Sequence, residues 1–217
     1  MKKQRKTERL HITTHGGKLE GLRSISTSRR LNPLCQKRAE DPNSICHYCY
    51  AETYLKLREN LRKALERNTR ELCGVDLIPY DELPIINDLY FRFEAFGDLI
   101  NTNQVINYFN IAKKNEKTTF ALWTKNPWEI EDAIKRGNEK PDNLIIVYSV
   151  SVLNGTTPDI LAKFKEAWPC IDKFFTVYDK TYIEGHNVNI NCGGRKCIEC
   201  LNCYKKNDIA IINEKLK

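Results

Sequence analysis

Nine cysteines in 217 residues are the side chains of this sequence with the most distinctive chemistry, and seven of them fall into two clumps. The second clump is Cys192, Cys197, Cys200 and Cys203, spaced C-x4-C-x2-C-x2-C. Four thiolates in so short a loop suit wrapping around one cubane iron–sulfur cluster. A zinc ribbon more often sets two CxxC pairs roughly 15–20 residues apart. Gly193 and Gly194 let backbone pass close to inorganic sulfide, and Arg195, Lys196, Lys205 and Lys206 bring positive charge to a site of thiolates. The first clump is Cys35, Cys46 and Cys49, spaced C-x10-C-x2-C. Three thiolates leave one iron of a cubane without a protein ligand, open to a substrate or cofactor. Zinc held by these cysteines and His47 is the competing reading, although His47 is cramped inside the Cys46–Cys49 loop. Cys73 and Cys170 stand apart and read as small buried hydrophobes.

The odd cysteine count and a reducing context argue against a disulfide framework. Hydrophobic residues make up 41% and charged residues 29%, and the mean hydropathy is -0.54. These values fit a soluble globular protein and exclude global disorder. No apolar run reaches the roughly 18 residues of a membrane-crossing helix. The basic start, with Lys2, Lys3, Arg5 and Lys6, leads into no signal-peptide core, so a cytoplasmic protein is expected. Lys plus Arg is 35 against 28 Asp plus Glu, a net +7 partly concentrated in that terminus. It reads as a solvated tail that can touch phosphate backbones without specificity, which leaves nucleic acid a weakly supported partner.

The elements that must position the cysteines follow from periodicity. A strand is expected over 21–28, a single long helix over 50–72 with Leu57, Leu61 and Leu65 on its stripe, and a strand over 89–95. A helix over 101–114 and a strand over 118–124 follow, then a helix over 127–136 and a strand over 144–151. A helix over 157–167 and strands over 173–178 and 208–213 complete the chain. Alternating strands and helices mean βαβ units and a parallel sheet, either doubly wound or a partial (β/α)5-6 barrel. Polar faces favour the barrel: Arg92 with Glu94 on one strand, and Ser149 with Ser151 on another, suggest a lumen that holds a ligand. Three regions are expected: a basic N-terminal segment over 1–20, the partial barrel over 21–183, and a cysteine-rich segment with the last strand over 184–217.

Cys46-His47-Tyr48-Cys49 resembles the C-x-aromatic-C end of the cluster motif of radical S-adenosylmethionine (SAM) enzymes, with a longer first spacing than the usual C-x3-C. The chain more closely resembles a family of small phage-encoded, radical-SAM-like proteins named for mycobacteriophage gene product eighty-eight. The matching motifs are Cys49-Tyr50-Ala51, Arg92-Phe93-Glu94-Ala95-Phe96-Gly97-Asp98, Trp123-Thr124-Lys125 and Pro141-Asp142-Asn143-Leu144, followed by the C-terminal cysteines. The resemblance implies two [4Fe-4S] clusters, with SAM on the open iron beside Tyr48. It places Glu94 or Asp98 against the SAM ammonium, Lys125 against its carboxylate, and Ser149 and Ser151 within reach of ribose or carboxylate. An electron-donor protein is implied as a partner. The alternative is a phage accessory module without enzymatic activity, holding iron–sulfur or zinc and gripping host protein or nucleic acid.

Overall fold

The computed structural model describes residues 9–216, so the basic run at 1–8 lies outside the described residues. One seven-stranded sheet organises the chain. Its order is β1 (Thr13–Thr14), β2 (Arg23–Ile25), β3 (Tyr90–Phe93), β4 (Thr119–Thr124), β5 (Leu144–Ser149), β6 (Lys173–Tyr178) and β7 (Ile211–Lys215). β1 runs antiparallel to β2, and every later pairing is parallel. Each strand lies beside its neighbours in sequence, as crossovers wound in one direction produce. A doubly wound sheet reverses its order part-way, and this one does not.

Three helices cross between the central strands: α4 (Thr102–Lys114), α5 (Pro127–Lys135) and α6 (Pro158–Ala167). Their starts are written locally. The Asn101 side chain accepts from the Gln104 amide at 3.0 Å and caps α4. Proline opens α5 and α6, where its missing N–H costs nothing. Strand alternation then sorts the sheet. Phe91, Phe93, Phe120, Leu122, Ile146, Tyr148 and Phe174 are buried together with Val105, Phe109 and Ile111 of α4, Ile130 of α5 and Leu161 of α6. Burying each such side chain contributes about 1.5–3 kcal/mol. Phe93 stacks between Tyr108 and Phe120, with ring centroids 4.2 and 4.9 Å away.

The other face carries Ser24, Arg92, Ala121 and Trp123, with Arg92 in register between Ser24 and Ala121. No crossover helix lies in its cluster. The C-terminal cysteine segment covers it instead, through Tyr204 packed with Leu22 and Ala121 against Trp123, Cys197, Ile198 and Cys203. β7 joins β6, so the last strand belongs to the same sheet as the rest.

Several elements differ from the sequence expectation. The expected helix over 50–72 is two helices, α2 (Tyr50–Leu57) and α3 (Glu59–Leu72), broken at Arg58 (φ -130°, ψ 79°) without glycine or proline. The break turns Leu57 out to 80% exposure, while Leu65, Asn68, Thr69 and Leu72 form the buried face of α3. Only three residues of the expected 21–28 strand are extended in β2, and the last strand sits at 211–215 rather than 208–213. Two helices were not anticipated, α1 (Pro33–Ala39) and α7 (Lys180–His186), and a single turn, α8 (Cys197–Cys200), lies within the second cysteine clump. Among the described residues no helix is long and apolar enough to cross a membrane.

Candidate functional site

Cys35 sits on α1, whose start is fixed by Asn32: its side chain accepts from the amides of Leu34 and Cys35 at 2.9 and 3.3 Å. Cys46 lies in a 3-10 turn over Ile45–Tyr48 capped by Ser44, and Cys49 immediately precedes α2. The turn is pinned to the chain leaving β5. Ile45 N–H donates to the Ser151 carbonyl at 2.8 Å, and Leu153 N–H donates to the Asn43 carbonyl at 2.9 Å. Ser151 thus meets the first cysteine loop through its backbone, and Ser149 is buried at the end of β5. Burial pushes the Cys35 thiol up strongly, helped by the charges of Asp98, Cys46 and Cys49 and opposed by Lys125. Burial also works to lower the Lys125 pKa, but Cys46, Asp98, Cys35 and Cys49 override it and hold the ammonium above its ordinary value. Three thiols and one lysine therefore gather at the ends of β3 and β4. Tyr48 is 51% exposed and stands edge-on to His47, whose ring bonds the Ala39 carbonyl at 3.0 Å.

The second group is built on the sheet face that carries Ala121 and Trp123. Cys192, Cys197, Cys200 and Cys203 line one cavity together with Lys18, Arg195 and Tyr204. Cys192 N–H donates to the Asn213 carbonyl at 3.0 Å, which docks the segment on β7. Lys18 Nζ donates to Cys192 Sγ at 3.1 Å and pairs with Glu214, and Lys196 reaches Glu20 at 3.0 Å, so a turn near the N-terminus clamps the group. Leu201 closes α8 in the left-handed region at φ 54°, which turns the chain back to bring Cys203 to the same cavity. Burial pushes the thiols of Cys192, Cys197 and Cys203 up. Among the described residues, no three His, Cys, Asp or Glu side chains converge as ligands of a single metal ion.

The two acids expected to face a ligand are engaged by the protein. Asp98 is tied to the end of β4. Its carboxylate accepts from Thr124 Oγ1 at 2.6 Å, from the Leu99 amide at 2.8 Å and from the Lys125 amide at 3.0 Å. Glu94 does not share a face with Arg92. The strand ends at Phe93, and Glu94 takes φ 58°, which turns its carboxyl under α4. There it accepts from Tyr108 Oη at 2.5 Å, Gln104 Nε2 at 2.7 Å and Thr27 Oγ1 at 3.1 Å. Burial lifts its pKa to about 8 against the hydrogen bond from Tyr108. Among the described residues Arg92 hydrogen-bonds only the Glu94 backbone carbonyl, through Nε at 3.4 Å, and it lies over the Trp123 ring at 3.9 Å.

The family model described as Gene product 88 matches residues 3–213, nearly the whole chain. The chain belongs to the Gene product 88 family. No curated protein and no solved structure matches it. In this family member, sequence reading found all seven clumped cysteines but not the groups that hold them. Lys18 carried no motif, and its partners Cys192 and Glu214 lie far along the chain. Tyr204 read as one of many tyrosines, yet its hydroxyl is buried without a hydrogen-bond partner. Only its place beside Cys203 marked it.

Proposed function

We propose that the chain is an iron–sulfur protein of radical-SAM type, with an open [4Fe-4S] cluster on Cys35, Cys46 and Cys49 and a closed one on Cys192, Cys197, Cys200 and Cys203. The observation that carries this reading is the gathering of the clumped cysteines into two groups, each beside a lysine that balances thiolate charge. The sequential order of parallel strands supports it, since a partial barrel needs that order. When bound, the open cluster would supply one electron for reductive cleavage of SAM, the hard chemistry that belongs to a cofactor.

The chain's own residues orient and exclude. Lys125 would offer its ammonium to the SAM carboxylate beside the three thiols. Asp98 holds Lys125 through its backbone and keeps a carboxylate near Cys35, whose remaining lone pairs would receive the SAM ammonium. Glu94 instead secures the end of β3 to α4. Ser151 fixes the first cysteine loop through its carbonyl, and Ser149 is buried two residues earlier at the end of β5. Tyr48, half exposed beside Cys49, would border the bound cofactor. The closed cluster would relay electrons from a donor protein or staple the C-terminal segment over the sheet.

Anaerobic metal and sulfide analysis tests this directly. About eight iron and eight sulfide per chain are expected. Millimolar SAM should change the EPR spectrum of the dithionite-reduced protein, with slow release of 5′-deoxyadenosine. Zinc without acid-labile sulfide in freshly isolated anaerobic protein would overturn the reading in favour of a metal-bound accessory module.

A further inference from the structure

Arg92 lies on the face of the sheet covered by the cysteine segment and pairs with no carboxylate among the described residues. It is built into place rather than left over. Its strand neighbours Ser24 and Ala121 are small and fully buried, and Tyr204 packs on Ala121, which sets the phenol beside Arg92. Its guanidinium lies over the Trp123 ring at 3.9 Å, and its Nε donates to the Glu94 carbonyl at 3.4 Å. These two contacts leave the terminal N–H groups as a fork for a planar acceptor. The residue is partly exposed, so a ligand can reach it. Tyr204 is 2% exposed, and its hydroxyl is buried without a partner on the same face. A buried hydroxyl left unpaired costs about 1–3 kcal/mol, so its retention beside a cation needs a reason.

We propose that Arg92 and the Tyr204 hydroxyl form a carboxylate-binding subsite beside Trp123, for the carboxyl group of a small-molecule ligand. A planar carboxylate accepts two parallel bonds from the fork and a third from the phenol. The local charge favours a monoanion over a phosphate dianion. His15 on the same face is held neutral, its pKa lowered to about 4 by burial and by Arg92 itself. Lys18, the nearest lysine of the cysteine group, is paired with Glu214. The subsite uses no cysteine and stands independently of the radical-SAM reading. The competing role for Arg92 is to balance thiolates at Cys197 and Cys203.

The test uses the full chain, isolated anaerobically with the metal it carries, in isothermal titration at low salt. Benzoate is the probe, benzamide its neutral isostere and phenyl phosphate its dianionic counterpart. Benzoate should bind saturably, benzamide should not, and phenyl phosphate should bind more weakly. Arg92→Gln should weaken benzoate by about ten-fold or more. Arg92→Lys should recover part of that loss, and Tyr204→Phe should weaken binding several-fold. Iron and sulfide are measured on every variant. Equal binding of benzoate and benzamide, no saturable benzoate binding, or preference for phenyl phosphate would each overturn the proposal. So would an Arg92→Gln protein that loses iron but binds benzoate as before, which would assign Arg92 to the cysteine site. Should Arg92→Gln fail to fold, an unchanged affinity in Tyr204→Phe overturns the proposal instead.

Discussion

Thr124 Oγ1 donates to Asp98 Oδ1 across 2.6 Å, and the Lys125 amide binds the same carboxylate. One buried acid thus ties the loop after β3 to the end of β4 and sets the height of Lys125 beside the three thiols. Charge-assisted hydrogen bonds of this kind contribute about 1.5–3 kcal/mol each, and losing the acid strands its donors. Asp98→Ala should cost about 2–4 kcal/mol in urea unfolding. Thr124→Val, which removes one donor, should cost about 1–2 kcal/mol. If Asp98→Ala unfolds at the wild-type urea midpoint, the carboxylate is not the tie described.

Glu94 gives the fold a pH dependence of definite sign. Burial is the largest influence and raises its pKa from 4.5 to about 8, against hydrogen bonds from Tyr108 and Thr27. The folded chain therefore holds this proton more tightly than the unfolded chain does. Its contribution to stability is complete below pH 4.5 and is lost as pH rises through about 8. Glu94→Gln keeps a carbonyl oxygen for Tyr108 and Gln104 and cannot ionise. Wild type should lose stability relative to this variant by a few kcal/mol between about pH 5 and about pH 9. Parallel stability curves for the two proteins over that range would remove Glu94 as the source.

What the sequence made legible and what it hid divide along a physical line. Local signals held up: Asn101 and Pro127 start helices where side-chain capping and proline chemistry place them, and Phe91, Phe93, Phe120 and Leu122 alternate into the core. Spacing alone grouped Cys192 with Cys203, which line one cavity. The failures lie where tertiary contacts override local preference. Alternation put Glu94 beside Arg92, but Tyr108 and Gln104 draw its carboxyl to the other side at the expense of an uncommon backbone angle. The run from Tyr50 to Leu72 has no breaker, yet it splits at Arg58, so that Ala51, Leu55 and Leu65 pack with Ala95 and Phe96 while Leu57 turns outward. That Tyr204 would cover Ala121 could not be read from either segment, since the contact joins residues far apart in sequence.

Gly97 is a packing requirement rather than a turn requirement. A Cβ there would stand 2.5 Å from Thr27 Oγ1, 2.6 Å from the Thr27 carbonyl and 2.7 Å from Glu94 Oε2. The carbonyl belongs to backbone and cannot swing away, so β3's exit would have to shift from the Thr27 strand end. Gly97→Ala should destabilise by about 1–3 kcal/mol, as overpacking of a tight site does. Gly185→Ala meets nothing within 4 Å and serves as the control. Equal urea midpoints for the two variants would show that the Thr27–Gly97 approach is looser than described.

The two cysteine groups are held by different parts of the chain and should fail separately. Cys197 packs against Tyr204, Leu22 and Ala121, and Lys18 and Glu214 clamp Cys192. Replacing Cys197 and Cys200 by alanine should remove about half of the iron. It should also loosen the cover over Trp123 and lower solubility as apolar surface opens. Cys46 and Cys49 lie in a loop pinned by Ile45 and Leu153 backbone bonds, outside the main core. Replacing them by alanine should remove the other half with a smaller loss of stability, and it should abolish any EPR response to SAM while leaving the second cluster's signal. Iron and sulfide per chain, read beside the urea midpoint, decide the matter. Loss of all iron from either double substitution would mean that the groups form one coupled site, and the separate anchoring of Cys46 and Cys197 would then have no bearing on metal binding.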